Sequence, residues 1–489
     1  METSFKNKIT VGFLWNVVNV VIDKSANFVL KLVLAKLLFP EQFGLIGMAT
    51  VFSGLVTTIN ELGIATALIQ KKEEELTETH LNTAFWTSVG FGIFLFLLMS
   101  IVAGPLIAMF YKEPVLQQII PFLSLSLLVR PMIVVHMVKL NRTLNFKRLT
   151  MIGNFSTIVA GVVSIVMAYN GHGIWSLVMN ALINGILVIP FYWLTSSWRP
   201  AFEWNKQAFD EIFGFGIYSL GTNVITYLFN NIDYLLVGKM LGPAALGAYT
   251  FSFMLTDTFR AQLMNMVNKV MYPVYSLKQN NLPVIKQYYL KIVLLNMLIV
   301  YPIMLVFIIY GEEIVLTLFN NKWKDAVIPL KILSFSVLLH MVVNSNTSLI
   351  RALGHAKLEL KLQLYKSVII FIPSIALGIY FYGIIGAAIG VAFNKFMAII
   401  IAQYNLRKLV NLHFSELLQR IGPVLLVSAV CLAVGFGLKK MTDVHFIFSV
   451  VLVLTIYASG TLFFYKNEFM PLIKDLISKP KKTKVLKVT

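Results

Sequence analysis

Cysteine is all but absent: Cys431 is the single one in 489 residues, which removes a disulfide framework and a cysteine-built metal cluster from consideration. It lies in an apolar run and reads as a small core residue. Charge is scarce as well. Only 13% of the residues are Asp, Glu, Lys or Arg, where soluble chains carry about 25%, so most of the surface cannot face water. Long polar stretches are missing, and no gap between apolar runs has room for a soluble catalytic, nucleotide-binding or receptor domain. There is no P-loop, no HExxH pattern and no GxSxG elbow. His136, His172, His340, His355 and His413 are scattered without ligand spacing and read as structural or interfacial residues. No motif for hydrolysing ATP is present, so any uphill transport would have to draw on an ion gradient.

What is present is apolar sequence, 58% of the residues, at a mean hydropathy of +0.78. Runs of about 20 apolar residues, enough to cross a bilayer core, recur along the chain. None shows the ten-residue alternation of a membrane barrel strand. The expected fold is an all-α polytopic membrane protein with about fourteen transmembrane helices. The spans expected are 11–35, 44–69, 82–110, 115–138, 150–170, 173–194, 212–238, 244–271, 288–310, 326–348, 364–382, 384–403, 421–438 and 444–465. The first is too long, and too rich in Asn, Asp and Lys, to be a cleavable signal peptide.

The net charge of +19 could suggest nucleic acid, but its distribution favours a membrane reading. Most Lys and Arg fall in the even-numbered gaps and at the two ends, as in "KKEEE" at 71, "NRTLNFKR" at 141, "NLRK" at 405 and the tail "KPKKTKVLK". The positive-inside rule then places both termini in the cytoplasm. Lys36 and Lys239 fall on the outer side, as interface anchors.

The sequence also repeats itself. "LAKLLFPEQFG" (34–44) and "VGKMLGPAALG" (237–247) share a lysine, a leucine, a proline and a glycine at one spacing, 203 residues apart. "RTLNFKRL" (142–149) matches "RALGHAKL" (351–358), "LSLSLL" (123–128) matches "LSFSVL" (333–338), and "NGHGIWSL" (170–177) matches "FYGIIGAA" (381–388). Order and spacing agree, so spans 1–6 and 7–12 read as two homologous six-helix lobes in one orientation, related by an axis along the membrane normal. The domains expected are 1–200, 201–410, and 411–489 with spans 13 and 14 and a basic tail. The Pro/Gly turns are the outer elbows of the first hairpin in each lobe and candidate hinges.

Charges inside a membrane are costly and mark cavities or pathways. In span 1, Asn16, Asn19, Asp23, Lys24, Asn27 and Lys31 form one polar stripe at 100° per residue. Asn223, Tyr227, Asn230 and Tyr234 share a face of span 7. Ser53, Thr57, Asn60 and Glu61 lie on one side of span 2, and Asp257, Arg260 and Asn268 group in span 8 with Lys269 nearby. Arg130, Lys331 and Lys395 lie within spans 4, 10 and 12, and Asp233 within span 7. Asp257 and Arg260, at i and i+3, could neutralise each other. Basic groups inside the spans nevertheless outnumber acidic ones, and a cationic cavity suits an anionic substrate such as a pyrophosphate. Lys24, Lys31, Arg130, Arg260 and Lys269 are the candidate anion-binding residues. Asn16, Asn19, Asn27, Asn223 and Asn230 are candidates for sugar hydroxyls. Asp23, Glu61, Asp233 and Asp257 are candidate carriers of a coupling H+ or Na+. No cofactor, metal or nucleic-acid partner is expected.

The stretch "LAKLLFPEQFGLIGMATVFSGLVTTINELGIATALIQKK", with "NRTLNFKRL", resembles the Wzx-type polysaccharide flippases, a branch of the multidrug/oligosaccharidyl-lipid/polysaccharide superfamily that includes colanic-acid and teichuronic-acid exporters. The resemblance covers most of the chain. It implies a V-shaped two-lobed helical fold that moves undecaprenyl-pyrophosphate-linked oligosaccharides across the bacterial inner membrane by ion-coupled alternating access. Membrane lipids, a polysaccharide polymerase and a chain-length regulator are the partners it implies. A drug antiporter of the same superfamily calls for a net acidic cavity, and a membrane-embedded polymerase or ligase calls for a sizeable outer loop. Neither feature is present in this sequence.

Overall fold

The computed structural model describes residues 25–61, 63–143, 145–440 and 446–477, and every regular element among them is a helix. Among the described residues, ten helical stretches are long and apolar enough to cross a membrane, and one of these, Ala356–Val410, holds two of the expected spans. The chain is a multi-pass helical membrane protein. Expected spans 7 and 8 lie in the separate run Lys206–Leu277, and most of expected span 1 falls outside the described residues.

Contacts divide the chain into two compact units, and the division falls inside a helix, at Phe251/Ser252. The first unit holds α1 (25–37), α2 (Pro40–Asn60), α3 (Ile64–Gln70) and α4 (Glu78–Leu97). A π-helical turn, Leu98–Ala103, leads from α4 into α5 (Gly104–Tyr111), followed by α6 (Val115–Ser124), α7 (Ser126–Arg142), α8 (Phe146–Tyr169) and α9 (Ile174–Thr195). It also takes α10 (Lys206–Leu277) as far as Phe251, with 319–325 and 378–387. Local chemistry sets these boundaries. Pro40 opens α2, where its missing N–H costs nothing, and the Gln42 side chain accepts from the Phe39 N–H at 3.0 Å. Gly242 (φ +82°) breaks α10 in a conformation that residues with a Cβ avoid.

In lipid, helices associate through close packing rather than through the hydrophobic effect, so small residues sit where backbones meet. A Cβ on Gly92 in α4 would lie 2.8 Å from the Leu127 carbonyl oxygen of α7. A cluster of Leu68, Leu81, Phe85, Val134, Val138, Trp198 and Ile212 fills the end of this unit. Over it runs an extended strap, 196–205, pinned to α4. Trp86 Nε1 donates to the Ala201 carbonyl at 2.7 Å, and Asn82 both donates to Glu203 at 3.0 Å and accepts from the Ala201 N–H at 3.1 Å. Trp198 Nε1 donates to Glu78 at 2.6 Å.

The second unit holds the rest of α10, α11 (Leu282–Phe319) up to Leu318, α12 (Val327–Val343), α13 (Asn346–Ala352) and α14 (Ala356–Tyr365). A π-helical turn, Lys366–Phe371, follows, and then α15 (Ile372–Val410) apart from 378–387, α16 (Phe414–Lys439) and α17 (Phe446–Ile477). Its core gathers Tyr289, Tyr301, Met304, Leu305, Val424, Val453 and Tyr457. Buried phenols need acceptors: Tyr301 donates to the Leu338 carbonyl at 3.0 Å and Tyr457 to that of Met297 at 3.2 Å. Cys431 is fully buried in the same core.

Two left-handed glycines mark the duplication in the backbone. Gly173 (φ 53°, ψ −126°) and Gly383 (φ 55°, ψ −134°), 210 residues apart like "LSLSLL" and "LSFSVL", adopt nearly one conformation.

Glu211, near the start of α10 and ahead of its apolar part, accepts from Lys71 and from His80 Nε2, the latter at 3.0 Å. These bonds hold its carboxyl down at about 2 from an ordinary 4.5. A depressed carboxylate contributes stability that is full above its unfolded value and is lost as pH falls through its folded value. Glu211→Gln should therefore lower the melting temperature at pH 7 and flatten its dependence on pH between about 4.5 and 2. Melting curves in detergent across that range check this, and a parallel shift with unchanged slope would refute it.

Candidate functional site

Two polar clusters interrupt the apolar interior, one in each unit. In the first unit, Glu61 ends α2 just before the left-handed Gly63, and Arg130 Nη2 reaches its Oε1 from α7 at 3.1 Å. Thr58, Asn60, Thr66, Ser88 and Asn223 join them around a cavity with about 520 Å³ of atom-free space, its mouth included. Asn60 holds the wall together: its Nδ2 donates to the Leu127 carbonyl at 3.0 Å, while its Oδ1 is buried without a hydrogen-bond partner among the described residues. The hydroxyls of Ser53, Thr57 and Thr58 are turned back onto their own helix, donating to the carbonyls of Ala49, Ser53 and Gly54. Those groups add polarity to α2 while their protons are already engaged.

Three of the residues named from sequence, Glu61, Arg130 and Asn223, thus meet at one cavity. Asp233 lies elsewhere in this unit, only 3% exposed, and accepts from Tyr249 across the α10 break at 3.0 Å. Asn230 and Lys31 are exposed and Asn27 is half-buried. Tyr227 donates to the Thr50 carbonyl at 3.1 Å, and its hydroxyl occupies the space where a Cβ on Gly54 would stand, 2.2 Å away. Asn16, Asn19, Asp23 and Lys24 lie outside the described residues.

In the second unit, Arg260 Nε donates to Asp257 Oδ1 at 2.7 Å, the i, i+3 pair anticipated from the sequence. The guanidinium is not used up by it. Arg260 Nη1 also lies 2.9 Å from His340 Nδ1 on α12. His340 in turn sits in the field of Lys395 on α15, of Arg260, and of Lys366 in the π-helical turn. The acids nearby are Asp257 and, beside Lys366, Glu359. The cluster holds three cations, Arg260, Lys366 and Lys395, against these two acids. Lys269, farther along α10, is exposed. Lys331 is offset by Glu312 at 3.4 Å, and Lys439 lies 2.7 Å from Glu313.

His340 and Lys366 were missed as site residues. The signal for His340 was present: "LSLSLLVR" (123–130) aligned with "LSFSVLLH" (333–340) puts His340 at the repeat position of Arg130. Each residue faces a partner on the counterpart helix, Glu61 on α2 in one repeat and Arg260 on the second part of α10 in the other. Lys366 carries no such mark, although π-helical turns often coincide with functional positions.

The fold defines a class. Lipid II flippase MurJ superposes with a TM-score of 0.73 over 94% of this chain and 100% of that one, at 12% identity; the chain has the fold of that helical membrane protein. The family is set by sequence. A family model described as "Polysaccharide biosynthesis protein" matches residues 33–328, more than half of the chain, and the chain belongs to that family. Among its relatives are the Teichuronic acid biosynthesis protein TuaB of Bacillus subtilis (strain 168), 25% identical over 81% of each chain, and the Lipopolysaccharide biosynthesis protein WzxC of Escherichia coli (strain K12), 25% identical over 79% of this chain and 78% of that one.

Replacing Asn60 with Ala removes its side-chain bond to the α7 backbone and should lower stability by about 1–3 kcal/mol. Thermal unfolding in detergent measures it, and an unchanged melting temperature would show that the Asn60–Leu127 bond contributes nothing.

Proposed function

We propose that this protein is a flippase for undecaprenyl-pyrophosphate-linked oligosaccharides, acting in the bacterial inner membrane during surface polysaccharide biosynthesis. The observation that carries the reading is the group of basic side chains Arg260, Lys366 and Lys395 around His340, built inside a bundle whose family is one of polysaccharide biosynthesis. A pyrophosphate offers two anionic groups to such donors, and charge-assisted bonds in a dry setting are the strong ones. A drug cation would be repelled there.

In this reading Lys24, Lys31, Arg130, Arg260 and Lys269 attract the pyrophosphate, with His340 and Lys366 added to them. Asn16, Asn19, Asn27, Asn223 and Asn230 bind sugar hydroxyls, whose many donors and acceptors suit side-chain amides. Asp23, Glu61, Asp233 and Asp257 are the candidate sites for a coupling H+ or Na+. The chain crosses the membrane fourteen times with both termini in the cytoplasm, and the two six-helix repeats, 1–200 and 201–410, alternate access by rocking. The polymerase that consumes the flipped unit and a chain-length regulator are its partners.

Lys31→Glu and Arg260→Glu should each cut surface polysaccharide about tenfold or more while leaving the protein's level in the membrane unchanged. Deletion of the gene should make a lipid-linked oligosaccharide accumulate on the cytoplasmic leaflet. Export and accumulation are measured in the deletion strain complemented with each variant, and normal export from both variants would sink the cationic-site reading.

A further inference from the structure

Histidine is the side chain that changes charge near neutral pH, and the surroundings of His340 fix where its proton can be. Arg260 Nη1 lies 2.9 Å from His340 Nδ1. A guanidinium has five N–H donors and no acceptor, so Arg260 donates and Nδ1 keeps its lone pair. The imidazole is then neutral, with its one proton on Nε2.

Neighbouring elements add further charge. Lys395 on α15 and Lys366 in the π-helical turn act on the imidazole, with Asp257 beside Arg260 and Glu359 beside Lys366. Glu359 is shared, since it also accepts from Arg351 Nη2 at 3.1 Å. From α11 come the phenols of Tyr289 and Tyr301, which donate to the Val342 and Leu338 carbonyls on either side of His340. All of these groups belong to the second unit. The matching position of the first repeat holds Arg130, which stays charged at every working pH and reaches Glu61 at 3.1 Å. The position can therefore titrate in one repeat and not in the other.

We propose that His340 takes up a proton together with the anionic head of the substrate and releases it when that head leaves. The inference rests on reading this cluster as an anion site. Without an anion, a fourth positive charge beside Arg260, Lys366 and Lys395 is unfavourable in a setting of low dielectric. A pyrophosphate removes that obstacle in two ways. Its charge offsets the three cations, and its oxygens draw the fork of Arg260 donors away from Nδ1. Nδ1 then accepts a proton and donates it as a further charge-assisted bond to a phosphate oxygen. The proton comes from solvent and returns to solvent, so the bond made and broken is Nδ1–H. Proton and anion thus bind together at one site, whereas the carboxylates Asp23, Glu61, Asp233 and Asp257 are candidates for a separate coupling ion.

The test uses the full-length chain in nanodiscs and farnesyl pyrophosphate, which carries the same head on a short chain. Calorimetry in buffers of different ionisation enthalpy counts the protons taken up on binding. His340→Gln keeps an acceptor for Arg260 but cannot be charged, and His340→Arg is charged throughout. The unsubstituted chain should take up more protons than either variant, by up to about one per ligand. Protonation of the ligand itself is common to all three and cancels in the difference. Its affinity should also fall more steeply than theirs as pH rises through neutrality, by up to about tenfold per pH unit. If His340→Gln does not fold, His340→Arg alone carries the comparison. Binding with equal proton uptake in the unsubstituted chain and a folded variant would overturn the proton site and leave the anion site standing. Absence of binding to the unsubstituted chain would overturn both.

Discussion

The approach of two backbones at Gly44 and Gly247 is the constraint around which the first unit is organised. Inside a bilayer, burying apolar side chains between helices gains little, because lipid is as apolar as leucine. Close packing must supply the attraction, and it is greatest where nothing stands between two main chains. Any side chain at either glycine would collide with a carbonyl. Once those contacts are made, the directions of α2 and of the second part of α10 follow. So does the reach of Trp323 to Ala35 and of Lys239 to Phe110.

Duplication explains why the polar sites come in pairs with different charge. Arg130 and His340 hold one repeat position, and each faces a counterpart helix. One pairs with an acid and the other with a base. The same scaffold therefore yields a nearly neutral polar cavity in one unit and a cationic cluster in the other.

Polar groups elsewhere are mostly spent on holding helices. Tyrosine hydroxyls in the second unit donate to carbonyls of neighbouring helices, and serine and threonine hydroxyls in α2 return to their own turn. A bilayer leaves such groups no water to bond. Asn60 Oδ1, buried without a partner among the described residues, stands out by contrast and belongs to the cavity wall.

The sequence by itself determined the helical membrane class, the duplication with its elbows, and the excess of basic groups within the spans. Each of these is a property of composition, of short-range period or of self-comparison, and survives without knowing any long-range contact. The Asp257–Arg260 pair was legible for the same reason, being three residues apart on one helix. Only the tertiary structure decided that Arg260 meets His340, 80 residues on, and that Trp323 bonds to Ala35, 288 residues away. It also showed that the repeated elbows clasp each other rather than stand apart as two separate turns. Contacts of that span leave no local mark, because they are chosen by how helices cross, and crossing is settled by shape at glycines and by the few donors that find a carbonyl.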